Sequence, residues 1–492
     1  MAQGQPHLDM LIDGRFRSGP ERRAVINPAD GEAFTEVPLA DAEMTHEALA
    51  AARRAQPDWA AKAPLERAVV MHEIARLIRA DAEALARLIV REQGKTITEA
   101  RGEVGGAAEF FEFFAEYARR IQGEILPSDS PGEQIWIQRV PAGVVGAIIP
   151  WNYPFALVAR KVAPAMIAGD TIVLKSHEDT PLSAVAMARI FDAAGVPPGV
   201  VNILTGTGTV VGEALCTAPG VDLLTMTGSV PTGKRIMANA AQNLTPVSLE
   251  LGGKAPFIVM PDADLDRAVR AAATSRYMNC GQVCICNERT YVHRAIHDKF
   301  VEKFIAHSQS LRVGDPMDEA TDIGPKVSRA ELEKVEARVS AAAAAGAEVL
   351  LGGSRPEGGV PGGGFYYAPT VLGNVTPGMD ILKEETFGPV VSIVPFDDLD
   401  EVVAAANDSE YGLSAYLFTN DMPTIMRAVN DVSFGEIYVN RIGPEALQGF
   451  HVGYRNSGIG GDDGLHGLET YLRKKTVYLN YSVAPTLPSV PN

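Results

Sequence analysis

Short apolar runs separated by helix-length stretches constrain what this chain can fold into more than any other feature of its 492 residues. One set lies at 144–149, 171–174, 200–204 and 223–226, and a second at 256–260, 290–293, 390–395, 415–418 and 436–440. A strand covered by helices on both faces reads as continuous apolar text, and its alternation with helices is the signature of a parallel sheet. Two such sets predict an α/β chain with two parallel-sheet, Rossmann-like domains, in line with a length beyond the roughly 100 to 200 residues of a single domain. Ahead of them, 45–121 carries apolar residues such as Val69, Ile74, Leu77 and Ile78 at helical spacing. Several amphipathic helices are expected there, punctuated by Pro57, Pro64 and Gly94. The alanine run 341–345 follows Leu332, Val335 and Val339 and reads as a helix ending at Gly346. Segments 134–140 and 476–481 alternate like pieces of a β-ribbon outside both domains, and 352–364 is a Gly/Pro-rich loop.

A formal charge of −17 and a pI near 5.1 argue against nucleic acid or an anionic membrane as partner, since both attract basic surfaces. The first seven residues lack a basic region followed by an apolar one, and no apolar stretch approaches the about 20 residues that span a bilayer, so a cytoplasmic location is expected. Of the four cysteines, three crowd into positions 280, 284 and 286, which implies no disulfide framework. His293 and His297 offer no second ligand pair at zinc spacing, so no metal is expected.

Chemistry concentrates in Asn279-Cys280-Gly281-Gln282-Val283-Cys284-Ile285-Cys286 and, 34 residues earlier (284 − 250), in Leu249-Glu250-Leu251-Gly252-Gly253-Lys254. A thiolate attacks carbonyl carbon readily, and a carboxylate beside it would activate water to hydrolyse the resulting thioester. Taken alone, Cys284 reads equally as a packed thiol. Cys286, two residues on, would form a reversible bond with it under oxidation unless it too is simply packed.

Pro150-Trp151-Asn152-Tyr153-Pro154 and Glu384-Glu385-Thr386-Phe387-Gly388-Pro389 extend the series. In this order, from Leu11-Ile12-Asp13-Gly14 to the C-terminus, the motifs resemble the NAD(P)-dependent aldehyde dehydrogenase superfamily. Gln448-Gly449-Phe450-His451 and Arg455-Asn456-Ser457-Gly458-Ile459-Gly460-Gly461 resemble its branch acting on lactaldehyde and glycolaldehyde. The resemblance implies an aldehyde dehydrogenase-like fold: residues 1–122 and 142–252 as an NAD-binding domain, 253–464 as a catalytic domain, and 123–141 with 465–492 as a β-ribbon oligomerisation element of a homodimer or homotetramer. It implies Cys284 as nucleophile, Glu250 as base for hydrolysis, and the Asn152 amide with the Cys284 N–H as oxyanion donors. A turn-forming asparagine is the plainer reading of Asn152. Lys161 matches a family lysine that assists proton transfer, against the reading of an ordinary surface lysine.

For the cofactor the resemblance implies NAD. Gly206-Thr207-Gly208-Thr209-Val210-Val211-Gly212 follows a strand, but its G-x-G-x-x-x-G spacing departs from the usual fingerprint by one residue. A tight strand-to-helix turn accounts for Gly208 and Gly212 equally well. Thr227-Gly228-Ser229 opens a helix whose free N–H groups would receive the pyrophosphate. Lys175 and Glu178 match residues that hold the adenosine ribose, and a carboxylate there favours NAD over NADP, although Ser176-His177 replaces the commoner Pro-Ser or Pro-Ala. Trp151, Glu385 and Phe387 match residues at the nicotinamide side.

At the aldehyde's tail the chain departs from the commoner family text. Arg160 stands where tryptophan is frequent, and His451 where an aromatic residue is. With Glu445 six residues before His451, a cation, an imidazole and a carboxylate are expected to converge on a small polar aldehyde, or else Arg160 and Glu445 form a structural ion pair with His451 packed against it. An ω-semialdehyde, its carboxylate held by Arg160, is the competing substrate. A non-catalytic protein on the same fold is the competing class.

Overall fold

The computed structural model describes residues 8–358 and 360–482. The leader reading of 1–7, position 359 of the Gly/Pro-rich loop and the last part of the expected oligomerisation element, 483–492, lie outside them.

Both expected sheets form. The first has eight strands in the order Gly458–Ile459, Val247–Glu250, Leu223–Thr227, Val144–Ile148, Thr171–Lys175, Val201–Leu204, Met10–Ile12 and Arg15–Arg17. Its middle five are parallel, and antiparallel additions close both edges. The second has seven strands, Glu348–Leu351, Thr370–Gly373, Val390–Phe396, Asn287–His293, Ala255–Val259, Ser414–Phe418 and Glu436–Val439, parallel except for the first pair. After the second sheet the chain returns to the first through Gly458–Ile459, which pairs with Leu249 and Glu250, ahead of the expected break at 464.

Helices Ala42–Ala61, Pro64–Ala80, Ala82–Gln93 and Ile97–Ala115 come after the short strands Met10–Ile12 and Arg15–Arg17 and precede the parallel strands of both sheets. Pro64 occupies the first turn of the second helix, and Gly94 ends the third at φ 92°, a left-handed position that glycine adopts without strain. Pro57 does not separate elements as expected. It lies within Ala42–Ala61 on the exposed face, away from the packed stripe of Met44, Ala48, Ala52 and Trp59. Thr96 and Glu99 form a reciprocal cap on Ile97–Ala115, whose buried face packs against helix Ala156–Ala168 over the first sheet. The alanine run ends helix Arg329–Ala344 before Gly346, as its sequence predicts. Strands Glu133–Pro141 and Leu472–Asn480 pair over their full length, with Glu124–Pro127 completing a three-stranded ribbon. Among the described residues no helix is long and apolar enough to cross a membrane.

Candidate active site

The residues singled out by sequence cluster at the C-terminal ends of the first sheet's parallel strands, where open α/β sheets leave a crevice for ligands. Lys175, Thr227 and Glu250 each end a strand, and Asn152 lies in the turn between Val144–Ile148 and Ala156–Ala168. Across the seam, the segment carrying Cys284 leaves helix Leu265–Tyr277 through three consecutive left-handed residues, Asn279, Cys280 and Gly281, at φ 49°, 56° and 73°. Two of these are not glycine, so the turn holds local strain that its surroundings must enforce. Asn279 is enforced from three sides. Its N–H donates to Glu99 at 2.6 Å, its Oδ1 accepts from Gln93 at 3.0 Å, and its Nδ2 donates to the Asn152 carbonyl at 3.0 Å. The same carbonyl accepts from the Lys95 ammonium at 2.8 Å, and Lys95 is paired with Glu103 at 2.7 Å, both fully buried. One polar frame therefore fixes Asn152 and the cysteine turn together.

Within that frame the Asn152 Nδ2 donates to the Gln282 carbonyl at 3.1 Å, and its Oδ1 is buried without a partner. Cys284 is the most accessible of the four cysteines; the others are buried with thiols pushed up to about 12 by burial. Cys286 donates to the Ser275 carbonyl at 2.8 Å, the packed arrangement. The Cys284 carbonyl fits against Gly253, where a Cβ would approach it to 2.3 Å, so the glycine after Leu251-Gly252 is required by this approach. Glu250 is 2% exposed with neither carboxyl oxygen hydrogen-bonded, and burial pushes it up to about 8. A group held near neutrality is suited to take and release a proton.

Lys161 is not a surface lysine. It is fully buried and donates to Asp462 at 2.6 Å. Lys175 is buried as well and donates to Glu178 at 3.2 Å, so this is no solvated pair. Burial raises the Glu178 carboxyl, but Lys175 and His177 hold it below its usual range. A Cβ on Gly208 would meet open space and one on Gly212 would only graze Ile148 and Lys175, while the Thr227 hydroxyl is buried and unpartnered. Ser229 makes no side-chain cap on helix Val230–Ala240 and bonds Thr232 instead, which leaves the first N–H groups of that helix available. Glu385 accepts from the Gly253 N–H at 2.8 Å and is pushed up to about 8 by burial. Phe387, at φ 53°, meets Trp151 edge to face at 5.3 Å.

Arg160, Glu445 and His451 do converge, with partners that sequence reading missed. Arg160 pairs with Glu445 at 2.9 Å and grips Asp463 with two nitrogens, with Asp462 at 3.6 Å. His451 reaches Glu436 with Nδ1 at 3.1 Å and lies 3.4 Å from Glu250 with Nε2. The anticipated Arg160–Glu445 pair is thus one edge of a larger network that includes Asp462, Asp463 and Glu436. The adjacent carboxyls of Asp462-Asp463 beside Gly460-Gly461 were the signal available for them.

Two parallel sheets meeting at an accessible thiol, a desolvated carboxyl and a fixed asparagine amide have the organisation of a thiol-dependent enzyme. The chain belongs to the aldehyde dehydrogenase family, which residues 16–477 match. It is 49% identical to the 3,6-anhydro-alpha-L-galactose dehydrogenase of Streptomyces coelicolor over 93% of each chain. Against the lactaldehyde dehydrogenase of Escherichia coli it is 47% identical, covering 96% of this chain and 98% of that one. The solved structure of Staphylococcus aureus betaine aldehyde dehydrogenase in complex with NAD+ superposes with a TM-score of 0.96 at 35% identity, over 99% of this chain and 97% of that one.

Proposed function

We propose that this enzyme is an NAD-dependent, hydrolytic aldehyde dehydrogenase whose preferred substrates are small hydroxyaldehydes such as glycolaldehyde and lactaldehyde. The observation that carries the reading is the Cys284–Glu250–Asn152 constellation, joined at the tail side by the polar Arg160–Glu445–His451 cluster. Cys284 Sγ bonds to the aldehyde carbon, and the carbonyl pair moves to oxygen. The Cys284 N–H and the Asn152 amide proton not engaged by Gln282 hold that oxygen. NAD, when bound, would supply the hydride acceptor, and with the hydride gone the bond between Cys284 and the substrate would be a thioester. Glu250 then takes a proton from water, whose oxygen displaces the sulfur and releases the acid. Lys161, paired with Asp462, assists the proton's departure.

The open cradle at Gly208 and Gly212, the unpartnered Thr227 hydroxyl, Gly228 and the free helix start at Ser229 fit a dinucleotide's phosphates. Lys175 and Glu178 would hold the adenosine ribose, and Trp151, Glu385 and Phe387 the nicotinamide side. In this reading 1–122 with 142–252 bind the dinucleotide and 253–464 carry the chemistry. Residues 123–141 with 465–492 assemble a homodimer or homotetramer, supported by exposed Ile125 and Tyr478 on the ribbon, 70% and 69% accessible. All four cysteines are unpaired, which fits a cytoplasmic setting. Replacing Glu178 with glutamine is expected to narrow the NAD/NADP preference, checked by Kd for the two nucleotides; an unchanged ratio transfers ribose recognition to another residue.

Lactaldehyde and 3,6-anhydrogalactose, which name two of the relatives, both carry a hydroxyl beside the aldehyde carbon, and the tail cluster offers such a hydroxyl several partners. An ω-semialdehyde fits less well, because the Arg160 charge already faces Asp463, Glu445 and Asp462, and a further carboxylate would be repelled. NADH formation over a panel of glycolaldehyde, lactaldehyde, 3,6-anhydro-L-galactose, succinic semialdehyde and propionaldehyde, with and without coenzyme A, tests this. The hydroxyaldehydes should lead without coenzyme A; leadership by propionaldehyde or the semialdehyde overturns the assignment. Arg160→Met should lower kcat/KM for glycolaldehyde by about 10- to 100-fold, the ~1 to 3 kcal/mol of a stranded polar group, and for propionaldehyde far less. The ratio is the readout, because any loss of folded enzyme cancels in it.

A further inference from the structure

Segment 384–388, which carries Glu385 and Phe387, takes its shape from a buried carboxylate on the second sheet. Glu288, second in strand Asn287–His293, is 4% exposed. It accepts from the Thr386 N–H and the Phe387 N–H, each at 2.8 Å. Two successive N–H groups aimed at one carboxylate form an anion-binding concavity, and they fix Phe387 at φ 53°, a left-handed conformation that a phenylalanine keeps only where its surroundings enforce it. The other side of Glu288 faces two cations. The Lys254 ammonium donates to it and, at 2.6 Å, to the Glu384 carbonyl. The Arg276 guanidinium lies 3.5 Å away and donates to the Asn287 carbonyl at 3.0 Å and to the Gly281 carbonyl at 2.7 Å. Both cations are buried. Burial works against the Glu288 charge, but Lys254 and Arg276 outweigh it and bring the carboxyl down to about 2.

These partners come from the three segments that the chemistry needs in register. Lys254 closes the run that begins with Glu250. Gly281 is the last left-handed residue of the cysteine turn, and a Cβ on it would meet the Gly388 carbonyl at 2.2 Å, so the turn and the loop touch backbone to backbone. Glu385 in turn accepts from the Gly253 N–H at 2.8 Å. We infer that Glu288 is a positioning residue for the proposed reaction: it docks segment 384–388 against the Glu250 segment and the cysteine turn, and so sets the place of the nicotinamide half of NAD relative to the Cys284 thiol. This rests on reading Glu385 and Phe387 as the nicotinamide side of the site. A carboxylate is the group this place calls for. A glutamine offers a single acceptor oxygen to the two N–H groups and leaves both buried cations without their counter-charge. An aspartate keeps the charge, but its stem is one methylene too short to reach the cations and the loop together.

The test separates the two halves of the nucleotide. Kd is measured by titration calorimetry on the full-length enzyme for NAD and for AMP, which lacks the nicotinamide half and engages only the place assigned to Lys175 and Glu178. Glu288→Asp should weaken NAD by about tenfold, the effect of one or two lost hydrogen bonds, and leave the AMP Kd within about twofold. At saturating NAD its single-turnover burst of NADH should slow by about tenfold or more, since a displaced nicotinamide loses its alignment with the thiol. Glu288→Gln should act in the same direction with a lower Tm, from the stranded cations, and the aspartate variant carries the test should the glutamine variant fail to fold. Equal weakening of NAD and AMP overturns the inference, because Glu288 would then serve the fold alone. An unchanged NAD Kd or a burst as fast as the native one overturns it as well. Glu385→Ala addresses the underlying reading separately: an NAD Kd that it leaves unchanged overturns the nicotinamide-side assignment on which the inference rests.

Discussion

Replacement of Cys284 by alanine is expected to abolish aldehyde oxidation while NAD binding persists. In the proposed mechanism the sulfur is the atom that bonds to the substrate, and no other thiol is placed to substitute: Cys216, Cys280 and Cys286 are buried, with thiols pushed up to about 12. Removing a covalent nucleophile costs on the order of 10⁴- to 10⁶-fold in kcat. The variant should bind NAD with an unchanged Kd, measured by titration calorimetry, because the proposed cradle at Gly208, Thr227 and Ser229 belongs to the first sheet and not to the cysteine turn. Full turnover would move the chemistry to Cys280 or Cys286. Loss of NAD binding would show that the thiol supports structure.

Glu250→Gln is expected to separate the two halves of the reaction. Hydride transfer needs the thiolate and the oxyanion donors, so a single-turnover burst of NADH should survive. Hydrolysis needs a base, and steady turnover should fall by about 10²- to 10⁴-fold, the usual range for general-base removal. Trapped thioester should appear by mass spectrometry. In the proposed mechanism the base is the ionised carboxylate, and burial pushes Glu250 up to about 8. Hydrolysis-limited kcat should therefore rise with pH through about 8 and level off above it. A flat kcat across pH 7 to 9 would contradict the assignment, and a missing burst in the glutamine variant would mean that Glu250 also serves the thiol.

The two sheets were legible in sequence because a strand buried on both faces must be apolar throughout, as 171–174 and 415–418 are. Very short strands were not legible. Met10–Ile12, buried throughout, Arg15–Arg17 and Gly458–Ile459 have only two or three residues at or next to the edges of the first sheet, and Thr370–Gly373 is buried but has only four. Neighbours in space set these, and their own periodicity does not. The same holds at the site. Cys284, Glu250 and Asn152 stand in motifs, but Lys95, Glu99 and Glu103 act on the cysteine turn from about 180 residues away in sequence, through bonds that only the folded chain makes. Arg160 advertised an unusual tail cluster, while its principal partner, Asp463, lay 303 positions downstream with nothing local to link them.

The return of the chain from Glu436–Val439 in one sheet to Gly458–Ile459 in the other has an evolutionary consequence. The stretch between them is tethered at both ends to different rigid layers, and it carries Glu445 and His451. Its anchors are backbone pairings, which tolerate many side chains, and neither Glu250 nor Asn152 lies within it. Such a stretch is an exchangeable cassette: relatives could diverge in the aldehyde they accept by rewriting some twenty residues (458 − 439 = 19 steps between anchors) while the machinery on either side stayed fixed. Swapping residues 440–457 between this enzyme and a relative of different substrate range would then carry preference with the graft while Glu250, Asn152 and Cys284 stay in place, and a different residue at 451 would change the neighbour that lies 3.4 Å from Glu250.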